Sequence, residues 1–127
     1  MTTTHLTGTY DETLSLLAET RAFLTLPPDG RRSAVSQLRL VREAMRITSR
    51  LSQVLAWLMV RRAVVDGVIS EADSLAPERR LSGQEVCLAE PSDDLGEVPA
   101  GMKRLMEQSR ALYERVARLD RMLERRA

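Results

Sequence analysis

The residue types that most often carry catalysis or bind metal are scarce in this chain. His5 is the only histidine and Cys87 the only cysteine. A nucleophilic triad needs a base held in place by packing and by a third group. His5 lies ahead of the first expected helix, and Cys87 has no histidine or asparagine near it in sequence. One cysteine also rules out an internal disulfide and a thiolate zinc cluster. No Glu-x-x-His pair is present for a carboxylate-bridged metal site, and no Gly-rich loop leads into Lys and Ser or Thr. Asp93, Asp94 and Glu97 lack the spacing of a calcium loop. Histidine phosphotransfer needs a histidine midway along a bundle helix, and none is there. The chain is therefore expected to be no enzyme, with no catalytic residue, no cofactor and no metal site.

What remains is charge. Arg39, Arg42, Arg46 and Arg50 recur every three or four residues and mark one side of a helix. Residues 67–101 hold the acids Glu71, Asp73, Glu78, Glu85, Glu90, Asp93, Asp94 and Glu97 against Arg79 and Arg80. Basic segments thus flank an acidic one, although the net charge is only +1. The acids can neutralise the arginines within the chain, or either set can meet a partner. The arginine row and the acidic run Glu85, Glu90, Asp93, Asp94 and Glu97 are the two candidate protein-binding sites. Phosphate binding by the arginine row is the alternative. Against it, Lys103 is the only lysine, aromatic content is 3%, and no short turn joins two helices in helix-turn-helix fashion.

These groups need elements to position them. At 127 residues the chain has the length of one domain, and 43% hydrophobic content suffices for a core. Thr9 followed by Glu12 reads as a capping box, which places a flexible tail over residues 1–8 and a single domain over 9–127. Tyr10, Leu14, Leu17, Arg21 and Leu24 then recur at helical spacing until Pro27-Pro28 stops the run. Ser33 reads as the N-cap of a second helix reaching Asp66, with Gly67 just past its end. Its length approaches 50 Å at about 1.5 Å per residue. The block Val54–Val60 is nearly continuous in apolar residues. Leu51, Leu55, Trp57, Leu58 and Met59 are accordingly expected in the core or in a homodimer interface. Met102, Leu105, Ser109, Leu112, Val116, Leu119 and Leu123 alternate steps of three and four and form the clearest seam. Pro and Gly punctuate residues 67–101, which read as a long, mostly loop connector with Ser70 as a possible local cap. The expected fold is all-α: an up-down three-helix bundle with a long acidic connector between helices two and three.

Residues 1–8 lack a signal peptide's positive region and apolar run, and Val54–Val60 is far short of the ~20 residues a membrane span requires. A cytoplasmic protein without a membrane role is the expectation.

The segment Met45-Arg-Ile-Thr-Ser-Arg-Leu-Ser-Gln-Val-Leu-Ala-Trp-Leu-Met-Val-Arg-Arg-Ala-Val64, followed by Gly67-Val-Ile-Ser-Glu-Ala72, resembles the signature of the RcdA family, alphaproteobacterial regulators of the degradation of CtrA. Leu14–Leu24 extends the similarity into the first helix. The resemblance implies a three-helix bundle, often dimeric. It implies a non-enzymatic adaptor for the ClpXP protease, recruited through a response-regulator-like priming protein. Such an adaptor delivers cell-cycle substrates and concentrates at a cell pole. The best-known member carries a mobile C-terminal tail. This sequence ends at Ala127 directly after the third helix, which leaves the connector as the sizeable mobile segment expected. The family carries no catalytic residues to transfer. The reading from residues alone leaves open a nucleoid-associated or transcription-regulatory bundle. DNA binding would fall steeply with salt.

Overall fold

The computed structural model describes residues 3–25, 27, 29–92 and 95–126. Its elements are α1 (Thr3–Leu24), α2 (Ala34–Val65), α3 (Glu71–Ser74), a 3₁₀ turn (Pro77–Arg79), α4 (Gln84–Cys87) and α5 (Met102–Arg126). No strand occurs among the described residues, so the fold is all-helical.

α1 begins earlier than the sequence suggested, and this corrects both the tail and the capping box. Thr9 is inside the helix. Its hydroxyl donates to the carbonyl of His5 at 3.0 Å, and the Thr13 hydroxyl donates to the carbonyl of Thr9 at 2.8 Å. Thr20 does the same to Leu16 at 2.7 Å. Threonines bonded back along their own helix can face a core without an unmet hydroxyl. Leu6 is buried and anchors the added turns. Glu12, freed from capping, reaches across to Arg115 on α5 at 3.0 Å.

α2 is bounded as expected. The Ser33 hydroxyl accepts the N–H of Ser36 at 3.1 Å. At the other end Gly67 takes φ 75°. The N–H of Gly67 then meets the Val64 carbonyl at 3.1 Å, and that of Val68 meets the Ala63 carbonyl at 2.9 Å. This is a Schellman closure, and its left-handed residue favours glycine. Between the two caps run 32 helical residues, roughly 48 Å of rod.

The connector is more ordered than a loop. Ser70 caps α3 by accepting the N–H of Asp73 at 3.0 Å, and the stretch around Gln84 is a turn of helix. The connector climbs back along α2. Arg61 meets Glu71 and Ser74; Gln53 meets Ser82; Arg50 meets Cys87; Arg46 meets Glu90; Glu43 meets Ser92; Arg32 meets Leu95 and Glu97. As the connector number rises, the α2 number falls. The chain thus returns to the start of α2 before α5 begins.

This overturns the up-down order. Arg50 of α2 reaches Met106 and Ser109, whereas Trp57 reaches Asp120, so α2 and α5 run the same way. Against α1 the numbers run oppositely: Arg104 pairs with Glu19 and Arg115 with Glu12. Parallel neighbours need a crossover as long as the helix it passes. Residues 66–101 supply that length, since an extended chain covers about 3.3 Å per residue.

The core lies among α1, α2 and α5, closed on one side by the connector. Ile47, Leu51, Val54, Trp57 and Leu58 of α2 pack with Leu105, Leu112, Tyr113 and Val116 of α5, and with Leu6 and Leu16 of α1. Leu81 and Cys87 enter from the connector. The seam expected on α5 is buried from Met102 to Val116, and Leu119 and Leu123 pack at its edge. Gly101 starts this helix at φ 84°; a Cβ there would lie 3.7 Å from the Phe23 ring. The apolar block of α2 is not buried all round. Leu55 is half-buried, Ala56 is exposed, and Met59 is 61% exposed.

Candidate functional site

The arginine row and the acidic connector, expected as rival partner sites, lie against each other. Arg50 is 2% exposed. Its Nε donates to the Cys87 carbonyl at 2.7 Å, and its Nη1 donates to the Met106 carbonyl and Ser109 Oγ, both at 3.1 Å. Burial holds its guanidinium below the usual arginine range, and the nearby charges of Arg110 and Arg46 add to that effect. It therefore cannot be the solvent-facing contact that its spacing suggested. A buried guanidinium needs its donors filled, and carbonyls from two elements fill them.

Arg46 is half-buried. Its Nη1 pairs with Glu43 Oε1 at 2.5 Å and with the Glu90 carbonyl at 3.3 Å. Glu43, an acid inside the arginine row, is itself buried and accepts the N–H of Ser92 at 2.8 Å and its hydroxyl at 3.0 Å. Arg39 is half-buried, which leaves Arg42 as the exposed member of the row.

On the connector, Glu85 is exposed. Glu90 has a side chain 86% exposed and 3.7 Å from Arg110. Glu97 is exposed, and its carbonyl accepts Arg32 Nη2. Asp93 and Asp94 lie outside the described residues. Of the expected core or dimer residues, Leu51, Trp57 and Leu58 are buried within the chain itself. Met59 instead continues an outward row on α2 with Leu38, 69% exposed, Val41, and Met45, 60% exposed. Ser52 and Ala56 stand between Met45 and Met59 on the same side.

Two polar knots escaped the reading of the sequence. Asp120 accepts Trp57 Nε1 at 2.9 Å and Arg80 Nε at 2.8 Å, tying α2, the connector and α5 together. The hydrogen bond to Asp120 holds the Arg80 guanidinium above its usual value. Arg61 grips both oxygens of Glu71, at 2.7 and 2.8 Å, and Ser74 Oγ at 3.0 Å. The signals were faint: an acid one step from a leucine seam, and an isolated basic pair in an acidic stretch.

A cavity of about 800 Å³ opens where the end of α1, the start of α2 and residues 96–102 meet, with Phe23, Leu40 and Met102 in its wall. No histidine, cysteine or tyrosine lines it among the described residues. No group of three or more His, Cys, Asp or Glu among the described residues could hold a metal ion. No helix among them is long and apolar enough to cross a membrane. Burial raises the Cys87 thiol above its usual 9.0, with Arg50 pulling the other way. A thiol kept protonated is a poor nucleophile.

Burial also pushes the Tyr113 hydroxyl well above its usual 10.0, and that hydroxyl donates to the Ser82 carbonyl at 2.6 Å. In the unfolded chain Tyr113 and Cys87 lose their protons at ordinary values; in the folded chain they keep them. The unfolded state then binds fewer protons, so stability falls as pH rises. Their contribution is full below about pH 9 and drains away above it. Tyr113→Phe should cost about 1 kcal/mol at pH 7, from the lost bond to Ser82, and should make the alkaline decline shallower. Urea titrations from neutral pH into the alkaline range check this; parallel declines for both proteins would contradict it.

The whole chain, residues 1–127, matches the family model described as a protein of unknown function (DUF1465). A comparison with curated proteins finds no match. Among solved structures, RcdA from Caulobacter crescentus CB15 is similar at 32% identity and a TM-score of 0.66, over 93% of this chain and 89% of that one. By that likeness over nearly the full length of both chains, and with the family model spanning residues 1–127, the chain belongs to the DUF1465 family and is RcdA-like.

Proposed function

We propose that this protein is a non-enzymatic adaptor that delivers cell-cycle regulatory substrates to the ClpXP protease, recruited through a response-regulator-like priming protein. The observation that carries the reading is the likeness to RcdA over nearly the full length of both chains. The surface is compatible with it: Cys87 is buried, and what faces outward includes the apolar row of α2, Arg42 and the connector acids Glu85, Glu90 and Glu97. The DNA alternative loses its footing, because a phosphate-binding row needs its arginines free, and Arg50 and Arg46 are spent on the connector. Concentration at a cell pole belongs to the same reading.

The exposed member of the row, Arg42, is the basic contact offered to a partner. Rim charges mostly set association rate and salt dependence. Arg42→Glu should therefore weaken recruitment several-fold and leave the melting temperature unchanged. A reconstituted ClpXP degradation assay with candidate substrates and the priming protein measures it. If omitting this protein changes degradation of none of them, the adaptor reading fails. If degradation depends on the protein but Arg42→Glu has no effect, the contact lies elsewhere.

Self-association completes the proposal. The outward row Leu38, Val41, Met45 and Met59, with small residues between, suits close packing against a second copy of α2. Sedimentation at micromolar concentration should give twice the 14.3 kDa chain mass, and Met59→Arg should return the monomer. A wild-type monomer under those conditions would remove the dimer.

A further inference from the structure

Residues 88–92 form no helix or strand, yet they are pinned across α2 and α5. The pins are almost all to the main chain. Just before the segment, Arg50 Nε holds the Cys87 carbonyl of α4 at 2.7 Å; within it, Arg110 Nη1 takes the Ala89 carbonyl and Arg46 Nη1 the Glu90 carbonyl, both at 3.3 Å. Glu43 takes the N–H of Ser92 at 2.8 Å. Meanwhile the side chains of Glu90 and Pro91 face solvent. Recognition through carbonyls and N–H groups does not depend on side-chain identity, so the bed beneath can take the main chain of another peptide.

Charge narrows the choice of that peptide. Three guanidinium groups, on Arg46, Arg110 and the underlying Arg50, stand against two carboxylates: Glu43, paired with Arg46 at 2.5 Å, and Glu114, paired with Arg110 at 2.9 Å. The segment the chain itself supplies is matched to it: residues 85–97 contain Glu85, Glu90, Asp93, Asp94 and Glu97 and neither lysine nor arginine. The fit is also incomplete. Among the described residues, Arg46 Nε is buried without a hydrogen-bond partner, so the strap leaves a donor unmet.

We propose that the bed formed by Glu43, Arg46 and Arg110 is a peptide-docking groove, covered at rest by residues 89–92, and that an acidic segment of a partner protein docks there by its main chain when the strap lifts. The partner's role as cargo or recruiter rests on the adaptor reading; the groove does not. A tethered strap has an effective concentration near the millimolar range, so an outside peptide competes only when the strap is weakened.

The test uses the purified full chain and a fluorescein-labelled peptide with the sequence of residues 85–98. Ser92→Pro removes both the N–H and the hydroxyl that Glu43 accepts and leaves the bed untouched. It should bind the peptide roughly tenfold or more tighter than wild type. Arg110→Ala on top of it should abolish the gain, and a control peptide with its acids changed to lysine should not bind. A folded Ser92→Pro variant that binds no better than wild type would overturn the proposal, as would equal binding of the lysine peptide. Should Ser92→Pro fail to fold, amide exchange in the wild type decides. Exchange at Ser92 roughly 100-fold faster than at Leu51 and Leu112 supports a lifting strap, and equal protection refutes it. No protease component enters either experiment, so failure of the adaptor reading and failure of the groove are separately visible.

Discussion

Arg50 is the constraint around which the rest is arranged. A guanidinium in a core of leucine and valine is tolerated only when its donors are filled, because an uncompensated buried charge costs several kcal/mol. Here the fillers are the Cys87 carbonyl from the connector and the Met106 carbonyl and Ser109 hydroxyl from α5. One side chain of α2 therefore dictates where two later segments must pass. Bonds to a charged group are worth about 1.5–3 kcal/mol each, more than the exposed pairs Arg104–Glu19 and Arg115–Glu12, which contribute at most about 1 kcal/mol. The same arrangement repeats up and down the rod, with Arg61 below and Glu43, Arg46 and Arg32 above. α2 behaves as a mast, and the connector is fastened to it rung by rung.

That fastening explains both the connector's length and the direction of α5. A helix of 32 residues must be retraced before a parallel helix can start at its head. The arginines of the row are met by connector carbonyls and by Glu43 of α2 itself, while among the connector acids Glu71 pairs with Arg61 and Glu90 approaches Arg110. The surfaces we propose for partners are Arg42, the row from Leu38 to Met59 and the bed that the strap covers, and Glu85, Glu90 and Glu97 are exposed beside them.

The parts legible in the sequence are those governed by local rules. Three and four residue spacing exposed α2 and α5, and Ser33, Ser70 and Gly67 marked their turns because a cap hydroxyl and a left-handed glycine act within a few residues. The misreadings share a different cause. Arginines at helical spacing look the same whether they meet water or carbonyls, and a carbonyl has no letter in a sequence. Thr9 looked like a cap because a threonine hydroxyl can bond forward to an N–H or back to His5, and the apolar Leu6 that tips the balance is one residue in an otherwise polar stretch. Direction of α5 was invisible for the same reason: only the long-range bonds of Arg50 and Trp57 set it. Glu43, placed three residues before Arg46, was the clue that the row faced something other than solvent.

The most direct test of this account removes the constraint and asks which segments loosen. Arg50→Met keeps the length and apolar stem of the side chain but supplies no donors. Hydrogen exchange followed by mass spectrometry can compare it with the wild type segment by segment. The account predicts that residues 84–92 and the first two turns of α5 exchange roughly tenfold faster or more, in step with each other, while the α1–α2 contact keeps its protection. Unchanged protection of the connector and of α5 in a folded Arg50→Met protein would contradict it.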